Sequence, residues 1–344
     1  MLTAKHGIRI MSYKNNLSKA DRTAEAVDFP AVILIDNCSA CNLRCSMCDH
    51  KNIRKYRKIQ NMDFGLYRRL IEEIAQQNSN VRVWEIFFGD PFLCRDMPER
   101  ISYAKRAGLR DVVLNTNGVL MTPDKSEAFI RAGLDAMYVG IDGATKETYN
   151  KIRIGGDFDK ALDNVLCYRD LLAECGNGNQ QLYVQFVVSD INEHEVDAFK
   201  AFWSERRVNV KIRPKVSWAG LVGADNLFSN TEVERKPCYW LMRTMSICAD
   251  GRVALCAVDL HCRVPCGNVC DKSLTELWQG KLREFRTMHK EGRFGELPEM
   301  CRNCMDWQSG YAEFVSLEKK SATLDGTAEV VHHSDKALIA EVEI

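Results

Sequence analysis

The sequence predicts an α/β fold: a partial, curved (β/α)6 barrel of parallel strands followed by a small cysteine-rich domain. Three observations lead there. From residue 31 to residue 213 short apolar runs alternate with helix-patterned segments, and strict alternation of strand and helix implies parallel strands. Six such units can be counted. Beyond residue 237 the alternation stops and cysteines recur at ligand spacings.

The strand candidates are residues 31–35, 81–88, 111–115, 136–141, 182–188 and 208–212. Between them, residues 64–75, 97–107, 125–132, 158–175 and 193–202 carry apolar side chains three and four apart, the period of a one-faced helix. Residues 214–237, with Gly220, Gly223 and Asn226, break the pattern and read as a linker. The cysteine-rich segment spans 238–315, with a hairpin of residues 244–247 and 252–255 about Ala249-Asp250-Gly251 and an amphipathic helix at 274–289. Residues 1–30 read as an N-terminal extension, and 316–344 as a polar tail with a short strand at 337–342.

A chain of 344 residues accommodates one large domain and a smaller one. Its 47 basic and 47 acidic residues cancel, so no overall field draws it to nucleic acid or to an anionic membrane. No apolar stretch has the length of a membrane span, and the first 28 residues lack the apolar centre of a secretory signal. Fifteen cysteines at ligand spacings in a chain this long point to reduced thiols in a cytoplasm, not to a disulfide framework. The basic run at 51–58 reads as a solvated face or as a contact for a phosphorylated substrate or a reductant.

Chemistry in βα barrels sits at the C-terminal ends of the strands. After the first strand comes Cys41-Asn42-Leu43-Arg44-Cys45-Ser46-Met47-Cys48. Thiolates at this spacing can hold three irons of a four-iron cubane and leave the fourth open to a chelating small molecule. Cys38 extends the run to C-x-x-C-x-x-x-C-x-x-C, which could also close as a four-thiolate zinc or iron site. The second strand ends in Phe87-Phe88-Gly89-Asp90-Pro91, where Gly allows close backbone approach and Pro stiffens the exit. The third ends in Leu114-Asn115-Thr116-Asn117-Gly118, and the fourth in Gly140-Ile141-Asp142-Gly143, with Arg153 ten residues on. In the second domain Cys238, Cys256, Cys301 and Cys304 offer four thiolates, suited to a cluster or to a zinc ribbon. Cys94, Cys167, Cys175 and Cys248 read as packing residues, as do Trp84, Met137 and Phe186.

Together these motifs resemble the radical S-adenosylmethionine (SAM) superfamily over residues 31–315, with a SPASM-type extension in its shorter twitch form. The resemblance implies SAM and two 4Fe-4S clusters as cofactors. Cys41, Cys45 and Cys48 would hold the open cluster, whose electron cleaves SAM to a 5′-deoxyadenosyl radical, and Cys38 would be a buried thiol beside it. Gly89 and Asp90, in place of the family's G-G-E-P, would hold the amino group of SAM. Asn115 and Asp142 fall in the T-N-G and S-x-D-G segments beside the cofactor. Gly140 replaces a Ser that contacts the ribose, and Arg153 keeps a charge suited to the carboxylate. Cys238, Cys256, Cys301 and Cys304 would close one auxiliary cluster, because Asp306, Trp307 and Gly310 stand where the longer form has more cysteines.

Twitch-bearing relatives include aminocyclitol dehydrogenases. The implied reaction is oxidation of a secondary alcohol of a sugar or aminocyclitol, with the auxiliary cluster as electron acceptor and an electron donor such as flavodoxin or ferredoxin. Arg213 and Lys215, near the sixth strand end, are the catalytic candidates, with Gln185 and Trp218 beside them. The alternative is modification of a ribosomally made peptide by thioether formation or epimerisation. A small-molecule substrate is favoured because the first thirty residues are too short for a peptide-recognition domain. A non-catalytic iron-sulfur carrier would have no use for Gly89, Asp90 and Arg153 around an open iron.

Overall fold

Six parallel strands lie side by side in chain order: β1 (Val32–Ile35), β2 (Arg82–Trp84), β3 (Asp111–Thr116), β4 (Ala136–Gly140), β5 (Gln181–Val188) and β6 (Asn209–Pro214). The structure is a computed structural model, and it describes residues 28–223 and 234–311 together with the backbone of 9–10, 314–315 and 329–331. Order without reversal keeps every strand's C-terminal end at one rim, where a βα barrel collects its functional loops. The sheet stays open, with order β9-β6-β5-β4-β3-β2-β1-β7-β8, where β7 is Thr244–Ile247, β8 is Val253–Ala254 and β9 is Glu329–Val331. A separate antiparallel pair joins Arg9–Ile10 to Phe314–Val315.

The crossover helices are α1 (Phe64–Gln77), α2 (Met97–Arg106), α3 (Pro123–Arg131), α4 (Lys146–Ile152), α5 (Phe158–Cys175) and α6 (Val196–Glu205). Each turns an apolar stripe to the sheet, as in α1, which buries Leu66, Tyr67, Leu70, Ile71 and Ile74. Asp63 caps α1 by accepting the Leu66 N–H at 2.8 Å, and Asp157 caps α5. Such caps are each worth about 0.5–2 kcal/mol. The expected helix at 193–202 begins one turn late, because residues Glu193–Glu195 form a 3-10 turn.

The cysteine-rich segment is continuous with the barrel sheet. The anticipated hairpin exists as β7 and β8, but β7 also pairs in parallel with β1, Val32 opposite Thr244 and Ile35 opposite Ile247. After a short α7 (Tyr239–Arg243), the single helix expected over 274–289 is two, α8 (Leu274–Gln279) and α9 (Lys281–Lys290), broken at Gly280 with ψ −127°. The Ser273–Glu276 capping box starts α8, and Glu73 of α1 accepts the Leu274 N–H at 2.6 Å, fastening the second domain to the first. The strand expected at 337–342 lies outside the described residues, whereas β9 pairs antiparallel with β6.

A buried polar network ties the first two crossover helices to the ends of β1 and β2. The Tyr67 hydroxyl donates to Glu85 at 2.6 Å, Asn37 donates to the other Glu85 oxygen at 2.6 Å, and Arg100 donates to Asn37 at 3.1 Å. Burial pushes the Glu85 carboxyl up to about 7. The network ends at Asn37, one residue before Cys38, so it anchors the root of the cysteine loop.

Candidate active site

The cysteine loop is stitched to the loop after β2 through backbone contacts. Asp90 N–H donates to the Ala40 carbonyl at 2.7 Å. Gly89 has φ +121°, and a Cβ there would stand 2.1 Å from the Cys38 carbonyl and 2.6 Å from that of Ala40. Only glycine meets both demands. Gly89→Ala is therefore expected to cost at least about 2 kcal/mol and to separate the two loops, seen as a lower unfolding midpoint together with loss of SAM binding in the anaerobic protein.

Asp90 is wholly engaged in holding loops together. One carboxylate oxygen accepts the Phe92 N–H at 3.0 Å, and the other accepts the Thr116 hydroxyl at 2.8 Å and the Asn117 N–H at 3.0 Å. Burial raises its pKa and these three bonds oppose the rise. The Asn117 amide goes on to donate to the Asn42 side chain at 2.8 Å, so the loops after β1, β2 and β3 form one unit. Gly89 and Asp90 reach the cavity wall, with the Asp90 carboxylate already satisfied.

Arg153 enters from the end of α4. Glu195 pins the start of that helix by accepting from the Ala144 and Thr145 N–H groups and from the Thr145 and Thr148 hydroxyls. Asp142, buried with φ +61°, accepts Arg153 Nε at 2.6 Å and the Val187 N–H at 2.7 Å. The guanidinium lies directly over Gly140, whose missing Cβ would stand 1.9 Å from Arg153 Nη2. This explains glycine at a position where the family places serine: the arginine fills the space. A second arginine nitrogen reaches Cys45 Sγ at 3.8 Å. Burial opposes the charge, but Asp142 and then Cys45 outweigh it, so the arginine pKa is raised and the cation is secure. Arg44 and Ser46 N–H donate to the Ile154 and Ile152 carbonyls at 2.9 and 2.8 Å, strapping the cysteine loop to the same helix end.

Cys41, Cys45 and Cys48 thus line one cavity of about 160 Å³ with Gly89, Asp90, Asn115 and Arg153. Burial pushes the Cys41 thiol up to about 11 and Cys48 up to about 12. Thiols in such surroundings become thiolates when a metal takes the proton's place, so the donor set fits an iron cluster better than a reactive cysteine. Cys38, as expected, is buried in the core beside them.

The second set converges equally. Cys238, Cys256, Cys301 and Cys304 surround one small cavity. Burial raises all four thiols, Cys301 to about 12. His289 Nε2 lies 3.3 Å from Cys301 Sγ, and burial holds this imidazole down at about 4, so it is neutral. Arg235 donates to the Cys301 carbonyl at 2.6 Å. Each sulfur of a cubane binds its own iron, so the ligands stand around a volume. Among the described residues no three His, Cys, Asp or Glu side chains converge on a single-ion position.

Between the two sets runs the strap 217–219. Trp218 and Ala219 both have positive φ, +54° and +51°, a strained state for non-glycine residues. Asp306, two residues past Cys304, maintains it by accepting the Ser217 and Ala219 N–H groups at 2.6 and 2.7 Å. Trp218 then donates to the Met47 carbonyl inside the cysteine loop at 2.8 Å and packs edge-on against Phe88.

A second cavity of about 200 Å³ adjoins the first. Arg213, Asn115 and Trp218 line both, and Gln185 donates to Asn115 at 2.7 Å. Lys215 lines only the first cavity, where its ammonium donates to the Gly223 carbonyl at 2.8 Å. Trp84, expected in the core, is instead a wall of the second cavity, whereas Met137 and Phe186 are fully buried as expected. Lys211 lies in the same wall and was not among the sequence candidates; it sits two residues before Arg213 on β6, and that spacing alone puts both on one face of the strand. The basic run at 51–58 is mixed: Arg57 is buried and paired with Asp36, while Lys51, Arg54, Lys55 and Lys58 are exposed.

An open parallel barrel whose first loop turns three cysteines into one cavity, joined to a domain in which four more surround another, defines an iron-sulfur enzyme class in which SAM completes the site. The chain matches the radical SAM superfamily at residues 38–179 and the SPASM iron-sulfur cluster-binding domain at 238–305. It is a radical SAM enzyme with a SPASM domain, and its cofactors are SAM and iron-sulfur clusters, one 4Fe-4S cluster in the barrel and auxiliary iron-sulfur in the second domain. Its relatives include an uncharacterized protein of Treponema pallidum (strain Nichols), 34% identical over 34% of both chains. A GTP 3′,8-cyclase of Chlorobaculum tepidum is 28% identical over 56% of this chain and 54% of its own. The match thus spans about a third and about half of those two relatives. PqqA peptide cyclase of Gluconobacter oxydans is 25% identical over 89% of this chain and 92% of its own length. Among solved structures, BtrN in complex with AdoMet and 2-DOIA superposes with TM-score 0.56 at 17% identity, covering 80% of this chain and 93% of BtrN. SuiB of Streptococcus suis bound to S-adenosylmethionine gives 0.61 at 13%, covering 85% and 76%. At these identities the two structures share the fold. Among the described residues no helix is long and apolar enough to cross a membrane.

Proposed function

We propose that the protein oxidises a secondary alcohol of a small substrate to a ketone, with Cys41, Cys45 and Cys48 holding the SAM-binding cluster and Cys238, Cys256, Cys301 and Cys304 the auxiliary one. The observation that carries this is the position of the second cavity. Ile86, Phe87, Asn115, Arg213, Val216 and Trp218 are walls it shares with the first cysteine cavity, and Tyr239, Trp240 and Ala257, neighbours of Cys238 and Cys256, are its other side. A substrate there lies between both cysteine sets. Bound SAM and the clusters would supply a 5′-deoxyadenosyl radical that takes the carbinol hydrogen atom and an acceptor for the remaining electron, while the hydroxyl proton leaves to solvent. Asn115 and Gln185, fixed on each other, can orient the hydroxyl, and the Arg213 guanidinium can hold the negative charge that develops on its oxygen. Arg153, secured by Asp142, supplies the cation facing the SAM carboxylate.

The test is isotopic. A panel of cyclic alcohols deuterated at the carbinol carbon is expected to include one that delivers a single deuterium to 5′-deoxyadenosine, with one SAM consumed per ketone. The PqqA peptide cyclase relative and the fold shared with SuiB support a second reading, modification of a peptide. Transfer of deuterium only from labelled peptides would replace the first reading with that one.

A further inference from the structure

The sulfur of Cys301 is approached by two side chains that are not cysteines. His289, buried near the end of α9, meets it with Nε2 at 3.3 Å, while the other ring nitrogen, Nδ1, accepts the Cys238 N–H at 3.3 Å. A ring nitrogen that accepts carries no proton, and a neutral imidazole has one donor and one acceptor nitrogen. Nε2 therefore bears the hydrogen, and His289 donates to the Cys301 sulfur. Arg235 reaches the same sulfur with Nη2 at 3.8 Å while donating to the Cys301 and Arg302 carbonyls at 2.6 Å each. Phe294 steadies both: the imidazole packs against its ring with centroids 5.5 Å apart, and the guanidinium carbon stands 4.9 Å from the ring centre.

Adding one electron to an iron-sulfur cluster makes its sulfurs more negative, so donors aimed at those sulfurs stabilise the reduced form more than the oxidised one and raise the potential. Four thiolates complete a cubane, which leaves the imidazole to act on a ligand and not on an iron. We propose that His289, with Arg235 beside it, raises the potential of the auxiliary cluster through the Cys301 sulfur, so that this cluster accepts an electron from a reacting substrate. The inference rests on the reading of Cys238, Cys256, Cys301 and Cys304 as a cluster site and not on the alcohol assigned as substrate.

Asparagine and glutamine separate the two ring nitrogens. The amide of Asn extends from Cβ as far as Nδ1 does, and that of Gln as far as Nε2 does. His289→Asn thus keeps an acceptor for the Cys238 N–H and loses the donor to sulfur, whereas His289→Gln keeps that donor. The anaerobic, cluster-loaded protein with SAM bound is titrated with a reductant and followed by electron paramagnetic resonance; the signal that SAM does not alter belongs to the auxiliary cluster. His289→Asn is expected to shift its reduction equilibrium about 10-fold toward the oxidised form, the return from one charge-assisted hydrogen bond, which for one electron is a midpoint about 59 mV lower. His289→Gln is expected to restore the midpoint, with iron content and SAM cleavage unchanged in both variants. An unchanged midpoint in His289→Asn with its iron intact, or loss of the auxiliary iron in both variants, overturns the proposal, since the histidine is then a support for Cys238 or an iron ligand. A single cluster signal in the wild-type protein overturns the assignment of the four thiols and the proposal with it. The expected shift without any deuterium transfer from alcohols would leave the proposal standing and overturn the dehydrogenase reading.

Discussion

Replacing Cys41, Cys45 and Cys48 together with alanine is expected to remove about half of the iron and sulfide of the anaerobic protein, as one of two cubanes is lost, and to abolish reductive cleavage of SAM. The Cys41 and Cys48 thiols, both raised by burial, and Cys45, 3.8 Å from the Arg153 guanidinium, form a socket suited to thiolates that a metal holds. The other potential ligands in the wall are engaged: Asp90 is committed to Phe92, Thr116 and Asn117, and His50 Nε2 bonds the Ser39 carbonyl at 2.8 Å. Cys38→Ser separates the open from the closed site. It is expected to keep the full iron content and SAM cleavage, since Cys38 belongs to the apolar core and its carbonyl, not its thiol, meets Gly89. Iron and sulfide assay with 5′-deoxyadenosine quantification reads both variants. Retained cleavage in the triple variant would sink the open-cluster assignment; loss of half of the iron in Cys38→Ser would favour a closed four-thiolate site.

The barrel was legible because its signals are local. Alternating apolar runs locate all six strands to within a few residues, and Gly89, Asp90, Asn115, Asp142 and Arg153 all fall at strand or helix ends where loops converge on one rim. What each side chain does there was not legible. Asp90 and Asp142 read as cofactor contacts, yet their carboxylates are spent on Thr116, Asn117, Arg153 and Val187, pairings made across 11 to 45 residues that no spacing announces. Gly140 read as a lost hydroxyl, whereas packing makes it the seat of Arg153. The strand 81–88 came out too long because Ile86, Phe87 and Phe88 are apolar for a different reason: they are cavity wall and loop, not sheet. The addition of β7 to the barrel sheet beside β1 was likewise hidden, since a two-residue-period hairpin does not state which strand it will join.

The strap at 217–219 links the two cysteine sets mechanically, and this sets a condition on the most informative variant. Substituting Cys301 and Cys304 with serine is expected to halve the iron again, to preserve SAM cleavage, and to eliminate ketone formation by at least about two orders of magnitude, the usual scale for removing an essential catalytic component. Cleavage should persist because the cysteine loop keeps its own supports: Gly89 against Cys38 and Ala40, Arg153 on Asp142, and the loop N–H groups on Ile152 and Ile154. Oxidation should fail because the electron left on the substrate carbon has no acceptor. Asp306, however, is two residues from Cys304 and positions Trp218 against Met47, so collapse of the second site could also disturb the first. Asp306→Asn resolves this, since it keeps all four thiols while one carboxylate oxygen becomes a donor facing a backbone N–H. If loss of ketone comes from the missing acceptor, Asp306→Asn retains both clusters and a measurable rate. If Asp306→Asn alone abolishes oxidation as fully as the double cysteine variant, the strap and not the electron acceptor is the essential element. Ketone formation at the normal rate in the double variant would remove the auxiliary site from the reaction altogether.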